Sequence, residues 1–312
     1  MAEFEDFEES VLEYENEEEE EIGELIVIDD ELIDSLKEGV ESANPLQLAQ
    51  SVDVILGYLG YKENITIEED LQQNPLKTLL PILIQKLIEL FNTSNEGTAK
   101  KHKVTNLLEM LTAGIFDSFD KFKKELELFT IFCTSIKLLK SFAEEKLAER
   151  AFITAAKLGM KAETYKDQIY DLFSELLPDE KLGPTVLQMQ YSELANAKES
   201  SAIESSLPRI LDFYVEHKDF VLSYVKSLTK RTSSELIDTM SKSDKSMISW
   251  RILATMQLIS QYTIQTKEQR LVYPIGLILT SFLRHFPIKA YLPFQIRIAN
   301  ILIKISHSFE AF

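Results

Sequence analysis

Apolar residues recur every three or four positions along almost the whole chain after residue 31, as in the run Leu32, Ile33, Leu36 and Val40. This spacing puts apolar side chains on one face of an α-helix, whereas a half-buried strand needs strict alternation, which is nearly absent here. The pattern predicts an all-α protein of roughly ten to twelve helices joined by short loops, with no convincing strand.

Local signals divide this pattern into helices. The pairs Asn44-Pro45 and Asn74-Pro75 predict helix starts, because asparagine caps free N–H groups and proline fits the first turn. We expect the second of these helices to kink at Pro81. The least regular stretch, 179–206, is rich in Ser, Ala and Glu. It is expected to be an internal linker or a weak helix.

The density of predicted helices suggests a repeat architecture. HEAT and armadillo repeats place two or three helices in every 40 to 47 residues, roughly the rhythm found here. We therefore interpret residues 31–312 as one helical-repeat domain, an α-solenoid of HEAT/armadillo-like helical hairpins. One repeat cannot be aligned with the next, so an irregular globular bundle is the alternative.

The first thirty residues form an acidic head. Positions 1–31 hold sixteen Asp and Glu residues and no Lys or Arg, so nearly all of the net charge of -18 lies there. Like charges at this density resist compaction, and residues 1–30 are expected to be disordered. Four apolar residues would share one face if the head became helical on a partner, and a merely solvated tail is the alternative. These residues are Phe4, Phe7, Val11 and Tyr14.

The groups that catalysis and cofactor binding usually need are scarce. The chain has nine Gly residues and neither a G-x-G-x-x-G nor a Gly-Lys-Ser/Thr phosphate loop. Its four His residues lie far apart, and Cys133 has no second Cys with which to bind zinc. Cys133 is interpreted as a small core residue. We expect no enzyme activity, cofactor, metal or small-molecule substrate; an enzyme with an unrecognised site is the alternative.

Composition also limits the compartment. A single Cys fits a reducing environment, and the acidic N-terminus resembles neither a secretory signal nor a mitochondrial leader. The longest apolar runs are interrupted well short of the roughly 18 to 20 residues that a membrane span needs. We therefore expect a protein of the cytosol or nucleus with no membrane contact.

Three basic clusters could contact RNA phosphates, because phosphate binding requires grouped Lys and Arg. Each cluster is also expected near a helix terminus, where a purely structural role is the alternative. The clusters are Lys100, Lys101 and Lys103; Lys226, Lys230 and Arg231; and Arg284 with Lys289.

One stretch is distinctive enough to suggest a family. It begins Leu271-Val272-Tyr273-Pro274, passes through Arg284-His285-Phe286-Pro287 and ends Tyr291-Leu292-Pro293-Phe294-Gln295-Ile296-Arg297, with a tryptophan upstream in Ser249-Trp250-Arg251. Residues 249–303 thereby resemble the nucleolar complex protein 2 family, as a divergent or shortened member. The residues that carry the resemblance are Trp250, Leu271, Tyr273, Pro274, Arg284, Pro287, Tyr291, Pro293 and Arg297.

The resemblance implies a helical-repeat scaffold that acts in large (60S) ribosomal subunit biogenesis and rRNA processing. It implies a nucleolar complex protein 1-like or 3-like partner, binding to pre-60S particles with possible direct contact to pre-rRNA, and a location in the nucleolus or nucleoplasm. Tyr273-Pro274 is expected to set the start of a helix, and Pro287 and Pro293 to delimit a turn. A helical-repeat adaptor or nuclear transport-type module unrelated to ribosomes is the rival interpretation.

Overall fold

The computed structural model describes residues 26–62, 64–196, 199–242, 250–285 and 292–309. Fifteen α-helices and one pair of short strands lie within these ranges. The helices are α1 Asp30–Glu41, α2 Pro45–Leu59, α3 Pro75–Thr78, α4 Leu80–Thr93, α5 Ala99–Asp117, α6 Phe119–Phe122, α7 Leu126–Leu139, α8 Glu145–Lys161, α9 Lys166–Leu176, α10 Leu182–Ala195, α11 Ser200–Glu216, α12 Lys218–Lys242, α13 Trp250–Thr266, α14 Gln269–His285 and α15 Leu292–Ser308. The all-α class predicted from the apolar spacing is confirmed.

The chain divides into two compact units at Leu172, within α9. In the first unit, α5 is the central helix and packs against α2, α4, α7 and α8. A Cβ at Gly114 would lie 2.3 Å from Leu56 Cδ2, so glycine at this position allows α5 to approach α2 closely. The aromatic part of this core surrounds Phe132, whose ring centre lies 5.1 Å from that of Phe119 and 5.3 Å from that of Phe122.

Asparagine and proline start the helices where the sequence predicts. The side-chain oxygen of Asn44 accepts a hydrogen bond from Leu46 N–H at 3.0 Å, and Asn74 caps Leu76 in the same way. The expected kink at Pro81 is instead a break: α3 ends at Thr78 and Pro81 lies in the first turn of α4. The reason is that proline has no N–H to donate and clashes with the carbonyl four residues earlier.

The prediction that no strand would form is wrong. Strand β1, Ile26–Ile28, pairs in parallel with β2, Ile65–Ile67, with Ile26 opposite Ile65. Each strand has only three residues, which is too short for an alternating pattern to be visible, but both are rich in β-branched side chains that favour extended backbone. The α1 and α2 helices form the crossover that a parallel pair requires.

This strand also corrects the boundary of the acidic head, which had been placed at residue 30. Ile28 is fully buried, and Asp29 caps α1 by accepting a 2.7 Å hydrogen bond from Leu32 N–H. Asp30 accepts a 2.9 Å bond from Gln73 N–H. Residues 26–30 therefore belong to the folded unit, because one buried isoleucine and two satisfied carboxylates hold them there; the rest of the predicted disordered head lies outside the described residues.

In the second unit, α13 is the central helix and packs against α10, α11, α12, α14 and α15. Buried residues occupy all of its faces, as expected for a helix enclosed by others. Its buried hydroxyls are hydrogen-bonded: Thr255 Oγ1 lies 2.9 Å from Tyr191 Oη, and Tyr262 donates to the carbonyl of Lys218 at 3.3 Å.

The stretch 179–206, expected to be a linker or a weak helix, contains α10 and the first part of α11. Its Ser and Ala content obscured an apolar face that packs against α13. Leu182, Val186, Leu187, Leu194 and Ile203 are buried on that face. Packing of this kind overrides weak helical propensity.

None of the helices in the described ranges is long and apolar enough to cross a membrane. The finer prediction, an α-solenoid of HEAT/armadillo-like hairpins, stays a prediction.

Candidate interaction surface

The most exposed large apolar side chain in the described residues belongs to the stretch that carries the resemblance. Tyr273 is 77% exposed on the outer face of α14, and Leu277, one turn further along, is 54% exposed. Residues four apart lie one above the other on a helix, so both side chains project from the same side. Arg270 and Arg284 are exposed on this side as well. The outer face of α14 is therefore an apolar strip flanked by guanidinium groups.

Helix α15 has a second exposed apolar strip. Leu292, Ile296 and Ile303 are each about half exposed, and the partly exposed Ala299 lies between them. The intervals of four, three and four residues are those of a seam along which one helix packs against another. A separate set, Ile298, Ile301 and Ile305, faces the core of the unit. The helix thus carries two apolar faces, of which only one is buried within the described residues.

The two strips lie on helices that pack together. The rings of Phe282 on α14 and Phe294 on α15 have centres 5.1 Å apart and fix the contact between these helices. We define the outward side chains of Tyr273, Leu277, Leu292, Ile296 and Ile303 as the outer face. Several exposed apolar residues grouped on neighbouring helices are the usual mark of an interaction surface, whereas scattered ones are not.

Trp250 and Arg297, two residues of the resemblance, are brought into direct contact. The guanidinium carbon of Arg297 lies 5.6 Å from the centre of the Trp250 ring, a cation–π distance. Arg297 also donates a hydrogen bond to Ser200 Oγ and lies 3.8 Å from a carboxylate oxygen of Glu204. This cluster joins α11, α13 and α15, which indicates an architectural role for both residues.

Pro274 does not set the start of a helix as expected. Helix α14 begins at Gln269, where Leu271 N–H donates to the carbonyl of Glu268, and Pro274 lies inside it. The proline removes one helical hydrogen bond, but the buried Leu271, Ile275 and Phe282 hold the helix together around it. Pro293 lies in the first turn of α15, where proline is favoured. Pro287, Lys289 and Tyr291 lie outside the described residues.

The basic clusters are dispersed by the fold. Lys101 lies 4.7 Å from the ring centre of Phe91, and Lys100 and Lys103 share the first turns of α5 with it. Lys226, Lys230 and Arg231 lie in the middle of α12, so the expectation of a helix terminus is wrong for this cluster. Arg231 stacks on Tyr191 and faces Glu235. The expectation holds for Arg284, in the last turn of α14, where the helix dipole favours a cation.

The described residues contain no group of three His, Cys, Asp or Glu side chains that could hold a metal ion. Cys133 is buried in α7, and burial raises the pKa of its thiol to about 12, which suppresses the nucleophilic thiolate. His217 lies against the ring of Phe213, with its Nε2 atom 3.3 Å from Ser174 Oγ.

The sequence analysis missed most of the outer face. Leu277, Ile296 and Ile303 read as ordinary core positions, because a periodic pattern shows that apolar residues share a face but not that a neighbour covers it. The available signal was the double periodicity of α15, since one helix needs only one buried stripe.

No family model matches the sequence. No curated protein matches it either.

Proposed function

We propose that this chain is a non-enzymatic helical scaffold that binds an amphipathic helix of a partner protein on its outer face. The observation that carries the proposal is the exposed seam of Leu292, Ile296, Ala299 and Ile303, with Tyr273 and Leu277 on the adjoining helix. A partner helix with a matching apolar stripe would continue the packing already present between α14 and α15.

The chemistry at the rim of the outer face favours an acidic rim on the partner. Arg270 and Arg284 lie on the same side of α14 as Tyr273, and such rim cations steer association and set orientation rather than supply most of the affinity. Burial of the apolar residues supplies the affinity, at about 25 cal/mol per Å² of apolar surface removed from water.

We further propose that the scaffold acts in assembly of the large ribosomal subunit, in the nucleolus, with a nucleolar complex protein 1-like or 3-like partner. This part rests on the resemblance of residues 249–303 to the nucleolar complex protein 2 family. An α-solenoid of HEAT-like hairpins is the architecture that belongs to this proposal, and packing of the helices mainly with neighbours close in sequence is compatible with it.

Gradient sedimentation of a cell extract tests the proposal. The protein is expected to sediment with precursors of the large subunit, and a Leu292→Glu, Ile296→Glu double variant is expected to move to light fractions. Leu46→Glu is the matched control, since Leu46 is a similarly exposed leucine in the first turn of α2. A wild-type protein found only in light fractions contradicts the ribosomal role, and a double variant that sediments like wild type contradicts the outer face.

A further inference from the structure

A polar groove runs between α13 and α15, on a side of α15 different from the outer face. One wall is a ladder of glutamines on α13, Gln257, Gln261 and Gln265, which are spaced four residues apart and therefore lie above one another. The opposite wall is α15. It contributes Arg297, Asn300, Lys304 and His307. Two adjoining pockets of about 160 and 400 Å³ make up the groove, and Gln261, Ile264 and Lys304 line both.

Two polar atoms in this groove have no hydrogen-bond partner within the described residues. Ser260, which lines the groove, is 1% exposed, and its hydroxyl is buried without a partner. The buried side-chain oxygen of Gln257 is equally unsatisfied. A buried polar group left without a partner costs about 1–3 kcal/mol, so native proteins seldom retain two side by side unless a ligand or water completes them.

The chemistry of these atoms selects the kind of ligand. The oxygen of Gln257 needs a hydrogen-bond donor, whereas the hydroxyl of Ser260 can donate to an acceptor. A bare anion supplies acceptors only and would leave the Gln257 oxygen unsatisfied. An extended peptide backbone presents N–H and C=O groups in turn, and the side-chain amides of a glutamine ladder match both.

The charges along the groove select the side chains of that peptide. Lys304 is exposed and His307 lies one turn beyond it, while Arg297 is already partly neutralised by Glu204 at 3.8 Å. The net field at the Lys304 end is positive. Acidic side chains on the bound peptide would lie against Lys304 and His307, where opposite charges attract.

We propose that the groove binds the acidic head of this same chain, residues 1–25, as an extended peptide. Residues 1–25 hold thirteen Asp and Glu residues and no Lys or Arg, the complement of the groove wall. A segment of 25 residues can span at most roughly 80 to 90 Å when extended, so the head has ample length for an intramolecular contact. Docking of the head would also hold negative charge beside α15 and lower the affinity of the second unit for polyanions.

Energy transfer in the full-length chain tests this docking. Trp250, the sole tryptophan, lies against Arg297 at one end of the groove and serves as the donor. The acceptor is a dansyl label on a cysteine introduced by Glu13→Cys, while Cys133 is protected by its burial. We expect efficient transfer at low ionic strength that is independent of protein concentration and is lost in 1 M salt, where the screening length is about 3 Å.

Two charge reversals serve as test and control. Lys304→Glu replaces an attraction in the groove by a repulsion and is expected to lower the docking equilibrium constant roughly two- to tenfold. Lys226→Glu makes the same charge change at an exposed position of α12 that does not line the groove and is expected to leave transfer unchanged. Absence of transfer in the parent chain, equal losses in both variants, or transfer only between different molecules would each overturn the proposal.

Because the groove and the outer face are separate, this proposal does not depend on the proposed function. Loss of the docked head would leave sedimentation with ribosomal precursors intact, and loss of the outer face would leave energy transfer intact.

Discussion

The guanidinium group of Arg297 stacks over the indole ring of Trp250, 47 positions earlier in the sequence, with 5.6 Å between the guanidinium carbon and the ring centre. Through this contact and its bond to Ser200, Arg297 ties the last helix of the second unit to α11 and α13. Such a contact at a partly exposed site is worth about 0.5–1 kcal/mol, and the stacked geometry is specific to the planar guanidinium.

Arg297→Gln is therefore expected to lower the free energy of unfolding by about 1 kcal/mol, through loss of the stacking and of the bond to Ser200. Because Trp250 is the only tryptophan, its emission in the folded protein should shift as well. Urea unfolding followed by tryptophan fluorescence measures both effects. Arg270→Gln is the control, since Arg270 is highly exposed; an Arg297→Gln protein with unchanged emission and midpoint would show that the contact is not formed.

Gln190 is fully buried in α10, and neither its side-chain oxygen nor its nitrogen has a partner within the described residues. Gln190→Leu keeps a similar volume and removes two unsatisfied polar atoms, so we expect it to raise the free energy of unfolding by about 1–3 kcal/mol. Thermal unfolding is the measurement. Gln188→Leu, two positions away on the exposed side, should give no gain, and a destabilised Gln190→Leu protein would point to ordered water that satisfies the amide.

Burial raises the pKa of the Cys133 thiol from its model value of 9.0 to about 12. At pH 8 the native protein should therefore react with a thiol reagent at least roughly a hundredfold more slowly than the same protein unfolded in urea, because the thiolate is suppressed and shielded. The folded state retains this proton while the unfolded state loses it, so the thiol also lowers stability as the pH rises from about 9 towards 12. Rapid labelling of the native protein at pH 8 would contradict the buried position.

The short strand pair offers a matched comparison within three residues. Ile28 is fully buried, whereas Ile26 on the same strand is 39% exposed. We expect Ile28→Ala to cost about 2–5 kcal/mol and Ile26→Ala clearly less, because only the first creates a cavity in a packed core. Chemical unfolding of both variants checks this, and equal costs would mean that the strand is not packed as described.

Part of the fold could be predicted from the sequence because it depends on local signals. The apolar spacing indicates helices, and Asn44 and Asn74 start two of them by bonds within two residues along the chain. The strands escaped detection because Ile28 and Ile67 gain their pairing partners only after a crossover of nearly forty residues is folded. Pro274 was misread for a related reason: local preference disfavours proline inside a helix, but tertiary packing outweighs one missing hydrogen bond.

Less of the candidate sites could be predicted. The residues of the resemblance were identifiable as text, but the sequence gave no indication that Trp250 and Arg297 touch while Leu271 is buried and Tyr273 is exposed. The glutamine ladder was invisible because Gln257, Gln261 and Gln265 are individually unremarkable on a helix that is otherwise buried. Exposure and juxtaposition are tertiary properties, so a single sequence does not encode them in any local pattern.

The most direct test of the central claim is affinity purification of the tagged full-length protein from its native cell, with protein identification and RNA sequencing on the same eluate. We predict recovery of a nucleolar complex partner together with precursor rRNA of the large subunit, and loss of both from the Leu292→Glu, Ile296→Glu variant but not from Leu46→Glu. Transport cargo or cytosolic client proteins without precursor rRNA would contradict the account and favour a helical adaptor unrelated to ribosomes.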